Sequence, residues 1–244
     1  AGAIYRFVWN LFCDWYLELS KPTLSGEDQA AADEVRHVTG YVLDQVFALL
    51  HPFMPFITEE LWQVTAGERA RQTLLCHTAW PAVEFSDPEA AGDINWLVAL
   101  VSEIRSIRAE MNVPPGAEAA LVAVDPDPET AARLKRHDLQ LRRLARLGDV
   151  SIASAAPAQS AQVVVAGASF ALPLAGMIDV AAERVRLAKA HKKAEDEIGR
   201  IDKQLSNERF VANAPDEIVE QEREKREGYR LEAEKLSAAL KSLG

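Results

Sequence analysis

The sequence predicts a mainly α-helical protein, in which a helical bundle is followed by a small α/β lobe and a long antiparallel coiled-coil hairpin. Apolar residues recur at helical spacing through residues 1–116. Short strand-like runs then appear within residues 117–178. From residue 179 to residue 244 the apolar spacing alternates between four and three in a strongly charged stretch, which is typical of a coiled coil. We therefore predict three domains with these boundaries.

Apolar stripes mark the first two helices of the bundle. One stripe begins at Ile4 and continues to Leu19, and Pro22 is expected to break the helix shortly afterwards. A second stripe runs from Val35 to Leu50. Both are long enough to pack against other helices, so we expect them to form two sides of the bundle.

The other two predicted helices lie between proline-containing corners. Thr58 is expected to cap the third helix, with two acidic residues in its first turn and aromatic side chains filling the bundle core. The fourth stripe runs from Ile94 to Met111 and ends at a Pro-Pro-Gly sequence. The sum is a four-helix bundle or a close relative of one.

The predicted lobe combines short strands with one basic helix. The strands are expected at 121–124, 150–154, 162–165 and 169–174. The helix opens at Asp127 and ends with Gly148 as its C-cap residue. Its charges are Arg133, Lys135, Arg136, Arg142, Arg143 and Arg146 against Asp138. RNA contact and a purely structural role in orienting the hairpin both stay open for this helix.

Residues 179–244 predict two helices that fold back on each other through residues 206–214, with each arm about 40 Å long. The first seam is predicted to comprise Val180, Arg184, Leu187, His191, Ala194, Ile198, Ile201 and Leu205. The second seam is predicted to comprise Val219, Glu222, Arg226, Tyr229, Ala233, Leu236, Leu240 and Leu243.

Charge is distributed unevenly along the chain. The formal net charge of −10 argues against a generally basic nucleic-acid-binding protein, so any such site must be local. Residues 1–179 hold 13 basic and 23 acidic side chains, whereas residues 180–244 hold 14 of each. The first arm of the hairpin carries a basic stripe, which comprises Arg184, Arg186, Lys189, Lys192 and Lys193.

Cysteine and histidine usage predicts no metal site and no catalytic centre. Cys13 and Cys76 are too far apart in sequence to form a disulfide framework or a four-thiolate zinc site. The five histidines are scattered, without the i, i+4 spacing of a zinc-binding helix. A reducing cytoplasm fits this composition, and no apolar run is long enough for a membrane span.

Residues 51–62, with the sequence HPFMPFITEELW, resemble a signature of the helical anticodon-binding domain in class I aminoacyl-tRNA synthetases for aliphatic amino acids. Residues 6–18 and 104–112 resemble further helices of that domain in valyl-tRNA synthetases. Residues 172–179 and 207–215 resemble parts of their C-terminal arm. The isoleucyl relatives are expected to end in a cysteine-rich zinc module, which two distant cysteines cannot form. The resemblance to the valyl family covers essentially the whole chain.

This resemblance implies a segment of a longer polypeptide that binds tRNA. Neither the HIGH nor the KMSKS signature occurs, nor does a glycine-rich phosphate loop. ATP, magnesium and amino-acid activation therefore belong to other parts of the parent enzyme, as does editing, and we expect the segment by itself to be inactive and to need no cofactor. The implied partners are valine tRNA and the rest of the synthetase chain, and we expect a cytoplasmic monomer.

The resemblance assigns the bundle to the anticodon. Arg105, Arg108 and Asn112 share one helical face and offer two cations and an amide for single-stranded bases. Arg6 and Asn10 repeat that geometry on the first helix. The alternative is that these are solvated polar positions. Four aromatic residues are expected to pack in the core rather than to stack on bases, namely Trp9, Trp15, Tyr16 and Trp62.

The resemblance assigns the hairpin to the outer corner of tRNA, where the D and T loops meet. Arg184, Arg186, Lys189, Lys192 and Lys193 are expected to contact phosphates there, which gives salt-dependent affinity with little sequence reading. One alternative is a solvated coiled-coil flank. A second is a protein-interaction module without RNA specificity, which is disfavoured because the hairpin supplies its own partner helix.

Overall fold

The computed structural model describes residues 2–67, 70–82, 85–207 and 215–242. These residues are mainly α-helical with one small sheet, as the sequence predicts. The chain divides after Val98 into two compact units. Residues 99–116, which are predicted to belong to the bundle, fall in the same unit as the lobe and the hairpin.

The first unit is built from helices that the apolar stripes predicted. A continuous helical segment comprises α1 (Gly2–Arg6), a π-helical stretch (Phe7–Tyr16) and α2 (Leu17–Leu24). It is followed by α3 (Gln29–Leu50), α4 (Pro55–Val64), a 3-10 turn (Leu75–His77) and the start of α5 (Pro88–Glu110). Asp28 and Asp87 cap α3 and α5, since their carboxylates accept hydrogen bonds from Ala31 N at 3.0 Å and from Ala90 N at 2.9 Å.

Pro22 does not break the helix as the sequence predicted. It is buried inside α2, which continues for two more residues to Leu24. Proline cannot donate a hydrogen bond to the carbonyl four residues earlier, and the helix ends two residues after it.

The predicted roles within the 51–62 signature are partly wrong. Helix α4 begins at Pro55, a residue type that suits the first helical turn because its missing N–H needs no partner there. Thr58 is therefore not a cap. It is 1% exposed inside the helix, where its hydroxyl donates to the Met54 carbonyl at 2.8 Å. Two of the three aromatic side chains of the signature are exposed instead of filling the core, with Phe56 91% and Phe53 61% exposed, whereas Trp62 is half-buried.

The lobe contains the four predicted strands, β1 (Ala119–Val124), β2 (Leu147–Ala153), β3 (Ser160–Val165) and β4 (Ala168–Pro173). Their order in the sheet is β2-β1-β4-β3, with β1 and β2 parallel and the other two pairs antiparallel. Leu121, Ala171 and Leu172 are fully buried, which places the core of this unit against the sheet.

The single predicted lobe helix is in fact two helices. They are α6 (Pro128–Arg136) and α7 (Asp138–Ala145), separated at His137. The left-handed residue that ends α7 is Arg146, with φ of 51°, whereas Gly148 already belongs to β2. The sequence pattern placed the stop two residues too late because glycine is the usual residue at such a position.

The hairpin consists of α8 (Val180–Leu205) and α9 (Asp216–Ser242), packed along each other as predicted. Leu187, Ala194 and Ile201 of α8 and Val219 and Ala233 of α9 are buried. The predicted position of Arg184 in the seam is wrong, since that residue is exposed and its neighbour Glu183 is buried.

The segment that joins the two arms, residues 208–214, lies outside the described residues. The resemblance seen in residues 207–215 therefore falls almost entirely on that segment. Among the helices that the structure describes, none has the length and apolar character needed to cross a lipid bilayer.

Candidate nucleic-acid interface

The C-terminal half of α5 carries Arg108, for which the family resemblance implies contact with the anticodon. Its side chain is only 7% exposed. The guanidinium donates hydrogen bonds to the carbonyls of Ala117 at 2.7 Å, Pro114 at 3.3 Å and Arg146 at 3.4 Å. These carbonyls belong to the segment that enters β1 and to the end of α7, so Arg108 ties α5 to the lobe.

The environment of Arg108 is costly for a cation. Burial, and secondarily the charge of Arg146, lowers the pKa of the Arg108 guanidinium below its ordinary value. Arginine nevertheless stays protonated in proteins. Its three carbonyl partners replace the lost hydration, which explains why the structure retains a buried charge here.

Arg105 and Asn112, the other two residues of the predicted anticodon face, also have partners within the protein. Arg105 Nε donates to the Leu144 carbonyl of α7 at 2.9 Å. Asn112 follows the end of α5 in a left-handed conformation, with φ of 49°, a conformation that asparagine tolerates better than most residues. Its side chain lies against Glu183 and Arg186 at the start of α8.

Glu183, Arg186, Asn112 and Glu110 form a cluster that we call the root cluster. Arg186 Nε lies 2.9 Å from Glu183 Oε2, and Arg186 Nη2 donates to the Glu110 carbonyl at 3.0 Å. The Asn112 amide nitrogen lies 3.4 Å from Glu183 Oε1, and with the amide rotated its oxygen accepts from Arg186 Nε at 2.9 Å. The root cluster joins the end of α5 to the first turns of the hairpin.

The root cluster changes the acidity of Glu183. Hydrogen bonds from Arg186 hold the pKa of the Glu183 carboxyl below its ordinary value, although burial acts in the opposite direction. Glu183 is therefore charged at neutral pH and neutralises Arg186. Of the five cations in the predicted basic stripe, Arg186 is thus committed to a contact within the protein.

The other four cations of the stripe are exposed. Arg184, Lys189, Lys192 and Lys193 have no ion-pair partner among the described residues. At 100° per residue, the three lysines lie on the side of α8 opposite the buried Leu187 and Ala194. They therefore face away from α9, whereas Arg184 lies closer to the seam. These three lysines, which we call the outer lysines, form a compact cationic surface suited to phosphate groups.

Arg6 and Asn10 are exposed on the first helical segment. The prediction that Trp9 packs in the core is wrong, since its side chain is 58% exposed. It stacks on Tyr5 with ring centroids 6.4 Å apart and planes 2° from parallel. Phe7 and Leu11 are also exposed, so Arg6 and Asn10 share this helical segment with several exposed apolar side chains.

The remaining aromatic residues that were candidates for base stacking are engaged in packing. Tyr16 is half-buried and stacks on the buried Phe12 at a centroid distance of 5.4 Å. Trp15 is half-buried as well. The Arg71 guanidinium lies 3.7 Å from the ring centroid of Trp62, which covers one face of the indole. The predicted packing roles of these three aromatic residues agree with this geometry.

Two family models match the chain, one over its N-terminal half and one over the hairpin. Residues 1–123 match the family model described as the anticodon-binding domain of tRNA ligase. The chain belongs to that family. Residues 179–244 match a second family model, the valyl tRNA synthetase tRNA binding arm. The second match begins at Asp179, which caps α8 by accepting a hydrogen bond from Ala182 N at 3.0 Å.

Proteins named valine--tRNA ligase are similar to this chain over almost its whole length. The valine--tRNA ligase of Mesorhizobium japonicum is 59% identical over 241 residues, covering 98% of this chain and 26% of that protein. That of Agrobacterium fabrum is 54% identical, covering 98% and 25%. That of Caulobacter vibrioides is 52% identical, covering 100% and 27%. The resemblance to valyl-tRNA synthetases is thereby confirmed, and the chain spans about a quarter of the length of these relatives.

Within this anticodon-binding family member, the basic lobe helices are partly neutralised. Arg142 Nε lies 2.7 Å from Asp138 Oδ2, and Arg133 lies 2.7 Å from Glu129. Lys135 and Arg143 are exposed. Both alternatives for these helices, RNA contact and a structural role, stay open.

The predicted site residues thus divide into two groups. One group makes contacts within its own unit that the structure shows, and its RNA contacts stay predictions. It comprises Arg105, Arg108, Asn112 and Arg186. Of these four residues, only Arg108 is buried. The second group comprises exposed residues that make no side-chain hydrogen bond or ion pair within the part of the chain that the structure describes, namely Arg6, Asn10, Arg184, Lys189, Lys192 and Lys193. Helical spacing was sufficient to group the residues by face, but it does not reveal what covers each face.

Proposed function

We propose that the chain is the tRNA-binding part of a valine--tRNA ligase, in which the hairpin binds the outer corner of valine tRNA and the bundle contacts its anticodon. The observation that carries this proposal is the cationic surface of the outer lysines, within the segment that matches the tRNA-binding arm. Attachment of valine with ATP and magnesium is then the task of the remainder of the parent enzyme, and the chain works as a cytoplasmic monomer.

The chemistry of the outer lysines suits a nucleic-acid backbone. Lysine is a flexible point charge that donates to phosphate oxygens without selecting a base. Each phosphate contact releases condensed counterions, so affinity falls as salt rises. Because Lys189, Lys192 and Lys193 point away from α9, a tRNA can reach them without separating the two arms.

The test replaces the outer lysines with alanine and titrates valine tRNA in a series of salt concentrations. We expect weaker binding and a salt slope reduced by about 2 to 3 units, the size expected for the loss of three phosphate contacts. The matched control replaces three other exposed lysines of the hairpin, Lys203, Lys235 and Lys241, which changes the net charge equally. Equal losses in the two triple variants would show that the outer lysines are not a specific contact surface.

The protein-interaction alternative finds less support in the hairpin. Leu187, Ala194, Ile201 and Val219 are already buried. The two arms therefore satisfy each other and leave little of the seam for a third helix. Binding of valine tRNA that is negligible at low salt would favour this alternative.

The rest of the synthetase chain is the second proposed partner. Tyr5, Phe7, Trp9 and Leu11 are between 41% and 66% exposed and point in different directions around one helical segment. A cluster of exposed apolar side chains commonly marks a surface that another part of a protein covers. Relatives about four times as long supply such a protein, so we propose that the remainder of the enzyme covers this segment.

Arg6 and Asn10 lie on the same segment. One measurement shows whether Arg6 contacts the anticodon or the rest of the enzyme. If Arg6 contacts the anticodon, Arg6→Ala lowers the preference of the chain for valine tRNA over a tRNA with another anticodon. If the rest of the enzyme covers Arg6, that preference is unchanged in the same titrations. Arg36, an exposed arginine paired with Asp33 on α3, is the control position.

A further inference from the structure

His51, Glu59 and Cys76 come together in the first unit although the sequence predicted no metal site. One ligand atom of each lies within 4.8 Å of those of the other two. His51 and Glu59 are half-buried, and Cys76 is exposed. We propose that these three side chains bind one zinc-type divalent cation, with a fourth position open to water.

His51 is already oriented as a ligand. Its Nδ1 lies 2.8 Å from the hydroxyl oxygen of Thr58, which is 1% exposed. The Thr58 hydroxyl hydrogen is directed to the Met54 carbonyl at 2.8 Å, so its oxygen accepts from Nδ1–H. That tautomer leaves the lone pair on Nε2 for a metal. Ligand histidines in metalloproteins are commonly held in this way through their second nitrogen.

Glu59 and Cys76 are positioned by the same short turn. Both Glu59 oxygens accept from Leu75 N, at 2.9 and 3.1 Å, and Leu75 begins the 3-10 turn that contains Cys76. A carboxylate keeps further lone pairs when each oxygen accepts one hydrogen bond. Glu59 can therefore hold the turn and bind a cation at the same time.

The loop that carries Cys76 is held to the helices. Arg71 makes a two-pronged contact with Asp44 of α3, at 2.6 and 2.8 Å. Its side chain also covers Trp62 of α4, and Trp62 Nε1 donates to the Thr73 carbonyl at 3.2 Å. The turn is therefore anchored two residues before Leu75, which limits how far Cys76 can move away from His51.

The donor set selects the class of metal. Imidazole nitrogen, carboxylate oxygen and thiolate sulfur suit Zn²⁺ and Co²⁺, whereas Mg²⁺ and Ca²⁺ prefer oxygen ligands. Zinc bonds of about 2.0 to 2.3 Å place tetrahedral ligand atoms about 3.5 Å apart. The three atoms must therefore approach each other by about 1 Å, which rotation of the exposed Cys76 side chain can supply. A bound cation would link the end of α3, α4 and the 3-10 turn.

The test is a Co²⁺ titration of the tag-free chain. We expect one Co²⁺ per chain with a thiolate-to-cobalt charge-transfer band, which Zn²⁺ abolishes by competition and Mg²⁺ does not. Cys76→Ser and His51→Gln should lose the band, and Glu59→Gln should weaken binding at least tenfold. Cys13→Ser and His77→Ala are controls that should retain it, since Cys13 is the other cysteine and His77 is the nearest histidine in sequence to Cys76.

Three results would overturn the proposal. They are the absence of a charge-transfer band in the unmodified chain, its persistence in Cys76→Ser, and its persistence at unchanged strength in His51→Gln. Thermal melting gives a second measurement on the same variants. Zn²⁺ should raise the melting temperature of the unmodified chain and of Cys13→Ser, and leave that of Cys76→Ser unchanged. None of these measurements involves tRNA, so the proposed function and the metal site can fail independently.

Discussion

Arg108 and Arg105 are three residues apart on α5 but differ in their surroundings. Arg108 is buried and donates to three carbonyls, whereas Arg105 is exposed and its Nε donates to the Leu144 carbonyl. Removing a buried hydrogen-bonding group leaves its partners unsatisfied, at about 1 to 3 kcal/mol for each group. The two residues are therefore a matched pair for separating structural from RNA-contacting roles.

We predict that Arg108→Met lowers the free energy of unfolding of the second unit by about 3 kcal/mol, and that Arg105→Met lowers it by less because Arg105 is exposed to water. Hydrogen exchange at the β1 and β4 amides, where the core of this unit lies, measures both effects. Equal protection factors in the two variants would contradict the structural role assigned to Arg108.

Glu183 supplies a pH-dependent contribution to stability. Its folded pKa lies below the ordinary value because Arg186 donates hydrogen bonds to the charged carboxylate. The contribution is fully present above the unfolded pKa of about 4.3, and it is lost as the pH falls through the lower folded pKa.

We therefore predict that Glu183→Gln is destabilised relative to the unmodified chain at neutral pH, and that this difference shrinks as the pH falls below about 5. Melting temperatures measured across that range test the prediction. Glu234→Gln, on an exposed position of α9, is the control and should follow the unmodified chain throughout. A constant difference at all pH values would show that the loss is one of packing and not of charge.

Among the elements, the hairpin is where sequence periodicity was most informative. The four-and-three spacing identified Leu187, Ala194 and Ile201 as seam residues, and all three are buried. The same pattern placed Arg184 in the seam, because a spacing of either three or four residues before Leu187 is compatible with a coiled coil. The first spacing gives Arg184 and the second gives Glu183. Asn112, which is distant in sequence, lies against Glu183 instead, and this contact could not be predicted from the spacing of α8 alone.

We predict that Ile201→Ala destabilises the hairpin by about 2 to 4 kcal/mol, since Ile201 is fully buried and the change leaves a cavity. Val185, on the same helix, is 71% exposed, so Val185→Ala should change stability by less than about 0.5 kcal/mol. Hydrogen exchange along α8 and α9 reports both. A similar loss in the two variants would contradict the observed seam.

At the scale of the whole molecule, net charge is a poor guide to RNA binding. The chain carries a formal charge of −10, but the outer lysines and Arg184 have no acidic partner among the described residues. Electrostatic effects at physiological ionic strength decay over about 8 Å, so a phosphate group responds mainly to the cations beside it. A locally cationic arm is therefore compatible with an acidic protein.

The sequence by itself determined the fold class, the four strands, most of the helices, most of the coiled-coil seam and the family, because these depend on local spacing and on short motifs. Only the tertiary structure decided which polar residues stay available. Arg108 and Arg186 are engaged by carbonyls and a carboxylate from other segments, whereas Lys189, Lys192 and Lys193 remain exposed. His51, Glu59 and Cys76 likewise meet only after folding, since side-chain neighbours depend on long-range packing that no local periodicity specifies.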